Sequence, residues 1–175
     1  MNNNQFVLIV NGTRDSGSNE VISILNKRLK QVFLIASNRI KFLISDYTPD
    51  RDRKMVQEIA VIISEKVLNN GFSIIVEGGS IEQKNLNKKI TDLAGARNIK
   101  VITVNIEAPV EIMKQKFFER IEESKAIGKK VSVTNEEELM KRINAYFDLK
   151  DEKDPTFDSS KESIDEITKK ILSLM

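Results

Sequence analysis

The residues best placed for chemistry are Gly12, Thr13, Arg14, Asp15, Ser16, Gly17, Ser18 and Asn19, within residues 6–25, FVLIVNGTRDSGSNEVISIL. Gly12 and Gly17 fit the spacing G-x-x-x-x-G between an apolar strand-like run and an amphipathic run. Strand, glycine-bounded loop and helix make up the architecture of a phosphate-binding loop. Its backbone N–H groups and the N-terminus of the following helix favour an anion. The full motif continues with lysine and then serine or threonine, whereas this chain has Ser18 and Asn19. The loop is shaped for a phosphate but lacks the side chains that make the phosphate reactive.

The elements that must position this loop are legible in the apolar pattern. Residues 6–10 read as a fully buried strand, and residues 32–36 as a second. Residues 38–46 predict a short helix over the core, and Pro49 breaks the loop after it. Met55, Ile59, Ile62, Ile63 and Val67 keep helical spacing, with Asn69, Asn70 and Gly71 as the stop. Residues 72–76 form the third strand, ending in Glu77, Gly78 and Gly79. Leu86, Ile90, Leu93 and Ala94 mark a helix closed by Gly95, and residues 101–106 form the fourth strand. Met113, Phe117 and Ile121 recur at helical steps, as do Leu139, Ile143 and Phe147. Between them, residues 124–135 are basic and polar and suggest a lid. Residues 156–158 predict a last strand, and Ile164, Ile167, Ile171 and Leu174 a closing helix. The stripes that include Val21, Met55, Met113 and Ile164 are read as core. Alternation of strands and helices predicts one α/β domain over residues 1–175, with a mainly parallel sheet covered on both faces.

Composition narrows the function classes. The 175 residues are enough for one sizeable core. A net charge of +2, with both signs spread along the chain, weighs against nucleic acid. No apolar stretch approaches a membrane span. The chain has no cysteine, which excludes disulfides and thiolate chemistry, and residues 1–5 are polar, so a cytoplasmic location is expected. With no histidine, general-base work falls to Asp, Glu or Lys, and a zinc site is disfavoured.

The whole chain resembles the small P-loop kinases, the group that includes adenylate kinase, shikimate kinase, polynucleotide kinase and the zeta-toxin-like proteins. The likeness rests on the glycine loop, on VEGG at residues 76–79, and on NIEAP at residues 105–109. It rests also on the helix from Val110 that carries Arg120, and on TFDSSKESIDEI at residues 156–167. The resemblance implies a three-layer fold with a five-stranded parallel sheet in the order 2-3-1-4-5. It places the family's loop lysine at Ser18 and its magnesium-holding hydroxyl at Asn19, so a standard Mg2+ site is disfavoured. An acidic residue after the second strand falls at Asn38, which cannot accept a proton. Asp46 is the alternative carboxylate. Arg39 or Lys41 takes the place of the substrate-side arginine, Glu77 that of an acidic residue at the end of strand three, and Arg120 that of a lid-side arginine.

Each position also has a plainer reading. Gly12 and Gly17 also suit a simple tight turn, and Ser18 and Asn19 are ordinary first-turn residues. Arg14 either replaces the missing lysine's charge or is a solvated arginine. Arg120 and Lys125 read most simply as a solvated helix end. Two functions therefore compete. One is a kinase-like protein that binds ATP, another nucleotide or another phosphate ligand, with weak or absent transfer. The other is an active ATP-dependent kinase of a small molecule or nucleotide, working through Arg14, Arg39, Arg120 and Glu77. Removing one well-placed electrostatic contact typically costs on the order of a hundredfold to a thousandfold in rate. Three losses acting as a unit would not simply multiply, yet they favour the first function.

Overall fold

A computed structural model of the chain describes residues 5–13, 15–79, 83–128, 134–148 and 150–175. The apolar run expected to be a buried strand is β1, Phe6–Asn11, whose residues 7–10 are buried. Its neighbours are β3 (Ser73–Glu77) and β4 (Lys100–Glu107), both parallel to it. β2 (Val32–Ile35) and β5 (Thr156–Asp158) lie at the edges, so the order is β2-β3-β1-β4-β5 with every pairing parallel. β1 is covered on both faces, which is why it reads as an unbroken apolar run rather than an alternation.

Alternate residues of β1 point to different helical layers. Leu8 and Val10 pack with Val21, Ile22 and Leu25 of α1 (Ser18–Arg28) and with Ile167 and Ile171 of α7 (Ile164–Leu172). Val7 and Ile9 pack with Ala60 and Leu68 of α3 (Pro49–Asn69) and with Leu86, Ile90 and Ala94 of α4 (Lys84–Gly95). A third cluster joins α5 (Val110–Ala126) to α6 (Glu136–Phe147) through Met113, Phe117, Ile121, Leu139 and Ile143. The result is the three-layer α/β fold expected from the alternation. Local chemistry sets the helix starts. Ser163 and Glu166 form a reciprocal cap on α7, and the Asn135 side chain accepts the Glu138 N–H at α6.

Two expectations are corrected. The helix after β2, α2, spans only Ser37–Lys41 rather than residues 38–46; it buries no residue fully and meets the core through partly buried Ile40. Phe42 follows it at 80% exposure, with Leu43 beside it equally open. The stripe of α3 is also rotated. The buried residues are Asp52, Val56, Ala60, Ser64 and Leu68, whereas Met55 is 43% and Ile62 65% exposed. The physical reason is local satisfaction of polar groups. Ser64 donates its hydroxyl to the Ala60 carbonyl at 2.7 Å, and Asp52 accepts the Thr48 N–H at 2.8 Å. Small or self-satisfied side chains let the helix approach the sheet, and the larger apolar residues lie at the margin or outside.

Candidate functional site

The sheet topology puts the loop between β1 and α1 at the carboxyl edge of the central strand, where parallel α/β sheets hold ligands. Gly17 caps α1 in a left-handed conformation, with φ 91° and no side-chain cap. Gly12 also has positive φ, 154°, and a Cβ there would lie 2.6 Å from the Ile106 carbonyl oxygen. Both positions therefore require glycine. The end of β3 presses on the same loop. Gly78 donates its N–H to the Val10 carbonyl at 2.9 Å, and any Cβ at Gly79 would overlap the Gly12 carbonyl.

Inside the loop, Thr13, Asp15, Ser16 and Ser18 are all buried. The Thr13 carbonyl accepts the Ser16 N–H at 3.1 Å, the Ser16 hydroxyl at 2.7 Å and the Ser18 hydroxyl at 3.3 Å. Ser18, where the resemblance puts the family's lysine, thus turns back on the loop's own backbone. Thr13 donates its hydroxyl to the sulfur of Met113 on α5. Asp15 receives two hydrogen bonds from Arg120, Nε at 3.1 Å and Nη2 at 3.0 Å. The side chains of this pair are 7% and 22% exposed. Phe117 lies one turn before Arg120, and the guanidinium sits 5.3 Å from its ring centroid. Arg120 is therefore not a solvated helix end: it is held between the loop and α5. From the far edge, the Ser159 hydroxyl donates to the Ser16 carbonyl at 2.7 Å.

On the other side of the loop, Asn38 Nδ2 lies 3.4 Å from Glu77 Oε1. A residue of α2 and the carboxylate at the end of β3 are thus brought together, and Gly79, which abuts Gly12, follows Glu77 by two residues. Arg39 and Asn19 are exposed. Arg14 lies outside the described residues, as do residues 129–133 of the expected lid. Of the rest of that segment, Ser124 and Lys125 belong to α5; Ser124 is buried, and Lys125 pairs with Glu122 at 2.8 Å.

The turn after β5 is stiffened by Asp158. Its carboxylate accepts the Ser160 hydroxyl at 2.6 Å and pairs with Lys161 at 2.9 Å. Hydrogen bonds from Ser160 and Lys161 bring its pKa down to about 2. Behind the loop, Glu107 of β4 accepts from Tyr146 at 3.1 Å and Lys150 at 3.0 Å. Burial, then the charge of Glu107, pushes the Tyr146 phenol up.

A nucleotide and its metal can be tested against these residues. The glycine loop and the uncapped start of α1 suit a phosphate. The side chains fit an outer phosphate poorly, since Ser18 faces the Thr13 carbonyl and Arg120 is already neutralised. For Mg2+, Asn19, where the resemblance to the kinases puts a short hydroxyl, offers a longer amide, and among the described residues no group of three or more His, Cys, Asp or Glu side chains is arranged to hold a metal.

Two residues of this site escaped sequence reasoning in any specific role. Asp15 was only one member of the loop, and Ser159 was not singled out. An acidic residue between the motif glycines, with an arginine on a later helix, is the signal that could have found the first. Nothing local pointed to Ser159, whose place depends on β5 pairing with β4.

No family model and no curated protein match this sequence. Solved structures do match. A candidate kinase from Chloroflexus aurantiacus superposes with a TM-score of 0.72 at 14% identity, over 98% of each chain. The tunicamycin resistance protein of Deinococcus radiodurans gives 0.62 at 13% identity, over 97% of this chain and 95% of that one. The APS kinase CysC of Mycobacterium tuberculosis, solved with AMPPNP and APS, gives 0.61 at 13% identity, over 97% and 96%. Among the described residues no helix is long and apolar enough to cross a membrane. The strand order, the loop at the end of the central strand and these neighbours together show that this chain has the fold of the small P-loop kinases.

Proposed function

We propose that this protein binds a nucleotide or another phosphate-bearing ligand at residues 12–19, with weak or absent phosphoryl transfer. The observation that carries this reading is the inside of the loop. The Ser18 hydroxyl is 3.3 Å from the Thr13 carbonyl, in the position from which a lysine would meet the outer phosphates. Loop shape supports binding, and the missing cation opposes transfer, because phosphoryl transfer depends on positioning and charge stabilisation. The ligand is a small molecule or nucleotide, and a cytoplasmic location belongs to the same proposal.

The test is calorimetric titration with ATP and GTP, with and without Mg2+, together with ATP consumption against nucleotides, sugars and small hydroxyl acceptors. Weak binding with little Mg2+ dependence and near-background turnover is expected. Ser18→Lys combined with Asn19→Ser should tighten ATP by roughly tenfold, as a new charge-assisted contact would, and make binding Mg2+-dependent. Turnover near about 1 per second, the low end of ordinary kinases, would overturn the reading.

The contact between Asn38 and Glu77 supports a second reading, an active kinase. Glu77 supplies a carboxylate on the acceptor side, where Asn38 cannot take a proton. Arg14, Arg39 and Arg120 then supply positive charge. This reading requires wild-type turnover with the right acceptor, abolished by Glu77→Gln and by Arg14→Ala.

A further inference from the structure

We infer that Asp15 is a specificity-determining residue of the loop: its carboxylate stands in for a ligand anion on Arg120 and selects against highly charged phosphates. The inference rests on the reading of residues 12–19 as the phosphate site. A guanidinium offers a planar fork of N–H donors that matches carboxylate and phosphate alike. Here the Nε–Nη2 edge of that fork is filled by Asp15, at 3.1 and 3.0 Å. Asp15 lies inside the span bounded by Gly12 and Gly17, so it is part of the cradle and not a distant partner.

Two effects follow for an incoming phosphate. It meets a loop in which Arg120 is already neutralised by Asp15, and it lies near a fixed negative charge. Both penalties grow with the charge of the ligand, so pyrophosphate and triphosphate tails lose more than a monoester does. The pair is held in place on each side. Phe117 lies under the guanidinium, and the Thr13 hydroxyl reaches Met113 on the same helix. Ser159, after β5, donates its hydroxyl to the Ser16 carbonyl. A bound anion can therefore take the Nε–Nη2 edge of Arg120 only by displacing Asp15. A purely structural tie between loop and α5 would make no such demand.

The experiment uses the full chain and inorganic pyrophosphate, followed by NMR of the Gly12 and Gly17 amides and the Arg120 Nε–H signal. Asp15→Asn should bind pyrophosphate on the order of tenfold to a hundredfold more tightly than wild type, the range of ordinary coupling between charged sites. The gain should vanish in Asp15→Asn combined with Arg120→Gln. Inorganic phosphate should gain less than pyrophosphate. Equal pyrophosphate affinity in wild type and folded Asp15→Asn overturns the role of Asp15. Should Asp15→Asn fail to fold, the wild type decides. Its Arg120 Nε–H signal must move together with the loop amides on saturation, and an unmoved signal overturns the inference. Loop amides that stay silent in both proteins overturn the phosphate-site reading itself, and the inference with it.

Discussion

At the scale of single residues, close backbone approach decides what the loop tolerates. Gly79 abuts the Gly12 carbonyl, so Gly79→Ala must push the end of β3 away from the loop. The expected cost is about 1–3 kcal/mol, typical of overpacking, read as a lower melting temperature together with weaker anion binding. Gly95, the last residue of α4, has open space around it. Gly95→Ala should instead stabilise by about 0.4–1 kcal/mol through the unfolded chain. If both substitutions shift the melt equally, the packing argument fails. Asp158 provides a pH-dependent counterpart. Its folded pKa of about 2 lies below the ordinary 3.8, so its contribution is fully present above 3.8 and disappears as pH falls through about 2. Asp158→Asn should therefore melt earlier than wild type at pH 7, with the gap closing across that acid window. A gap that persists at pH 2 would show that the turn is held by something other than this carboxylate.

At the scale of elements, α3 shows how a helix chooses its face. Its apolar residues outnumber the places available against the sheet, so periodicity alone permits two phases. The phase adopted buries Val56, Ala60 and Leu68, and leaves Ile62 in solvent. Leu68→Ala should cost about 2–5 kcal/mol, the range for truncating a buried leucine. Ile62→Ala should stay within about 0.5 kcal/mol, as for an ordinary surface change. Denaturant melts of the two variants check this directly, and similar losses would reinstate the other phase. α5 shows the same principle in functional form. Its buried stripe of Met113, Phe117 and Ile121 orients the helix so that Arg120 reaches the loop.

At the scale of the whole molecule, the site is a meeting point of segments far apart in sequence. The end of β3 supplies Glu77, and the segment after it Gly78 and Gly79, on one flank of the loop, while α5 supplies Arg120. The turn after β5 closes the opposite side through Ser159. Asn11 and Asn105 join the ends of β1 and β4 at 3.3 Å, and Asn105 lies 3.3 Å from the Thr156 hydroxyl. A polar chain thus ties the central strand to the edge beneath the loop. The arrangement depends on sheet order. With β4 and β3 on either side of β1, helices and turns that follow different strands converge at one edge.

The sequence by itself determined the elements and their layering. Residues 6–10 had to be doubly covered, because an unbroken apolar run leaves no face for water. Gly12 and Gly17 had to bound a turn that other residues resist, and the strand–helix alternation implied parallel pairing. The last strand and helix, marked by residues 156–158 and the spacing of Ile164, Ile167 and Ile171, were legible for the same reason: local pattern reports local burial. Only tertiary structure decided which face α3 buries, that α2 ends at Lys41 and leaves Phe42 exposed, and that Asp15 meets Arg120 across 105 positions of chain. Those outcomes depend on competition among contacts distant in sequence. An arginine on an amphipathic helix looks solvated until the loop that takes its charge has been folded against it.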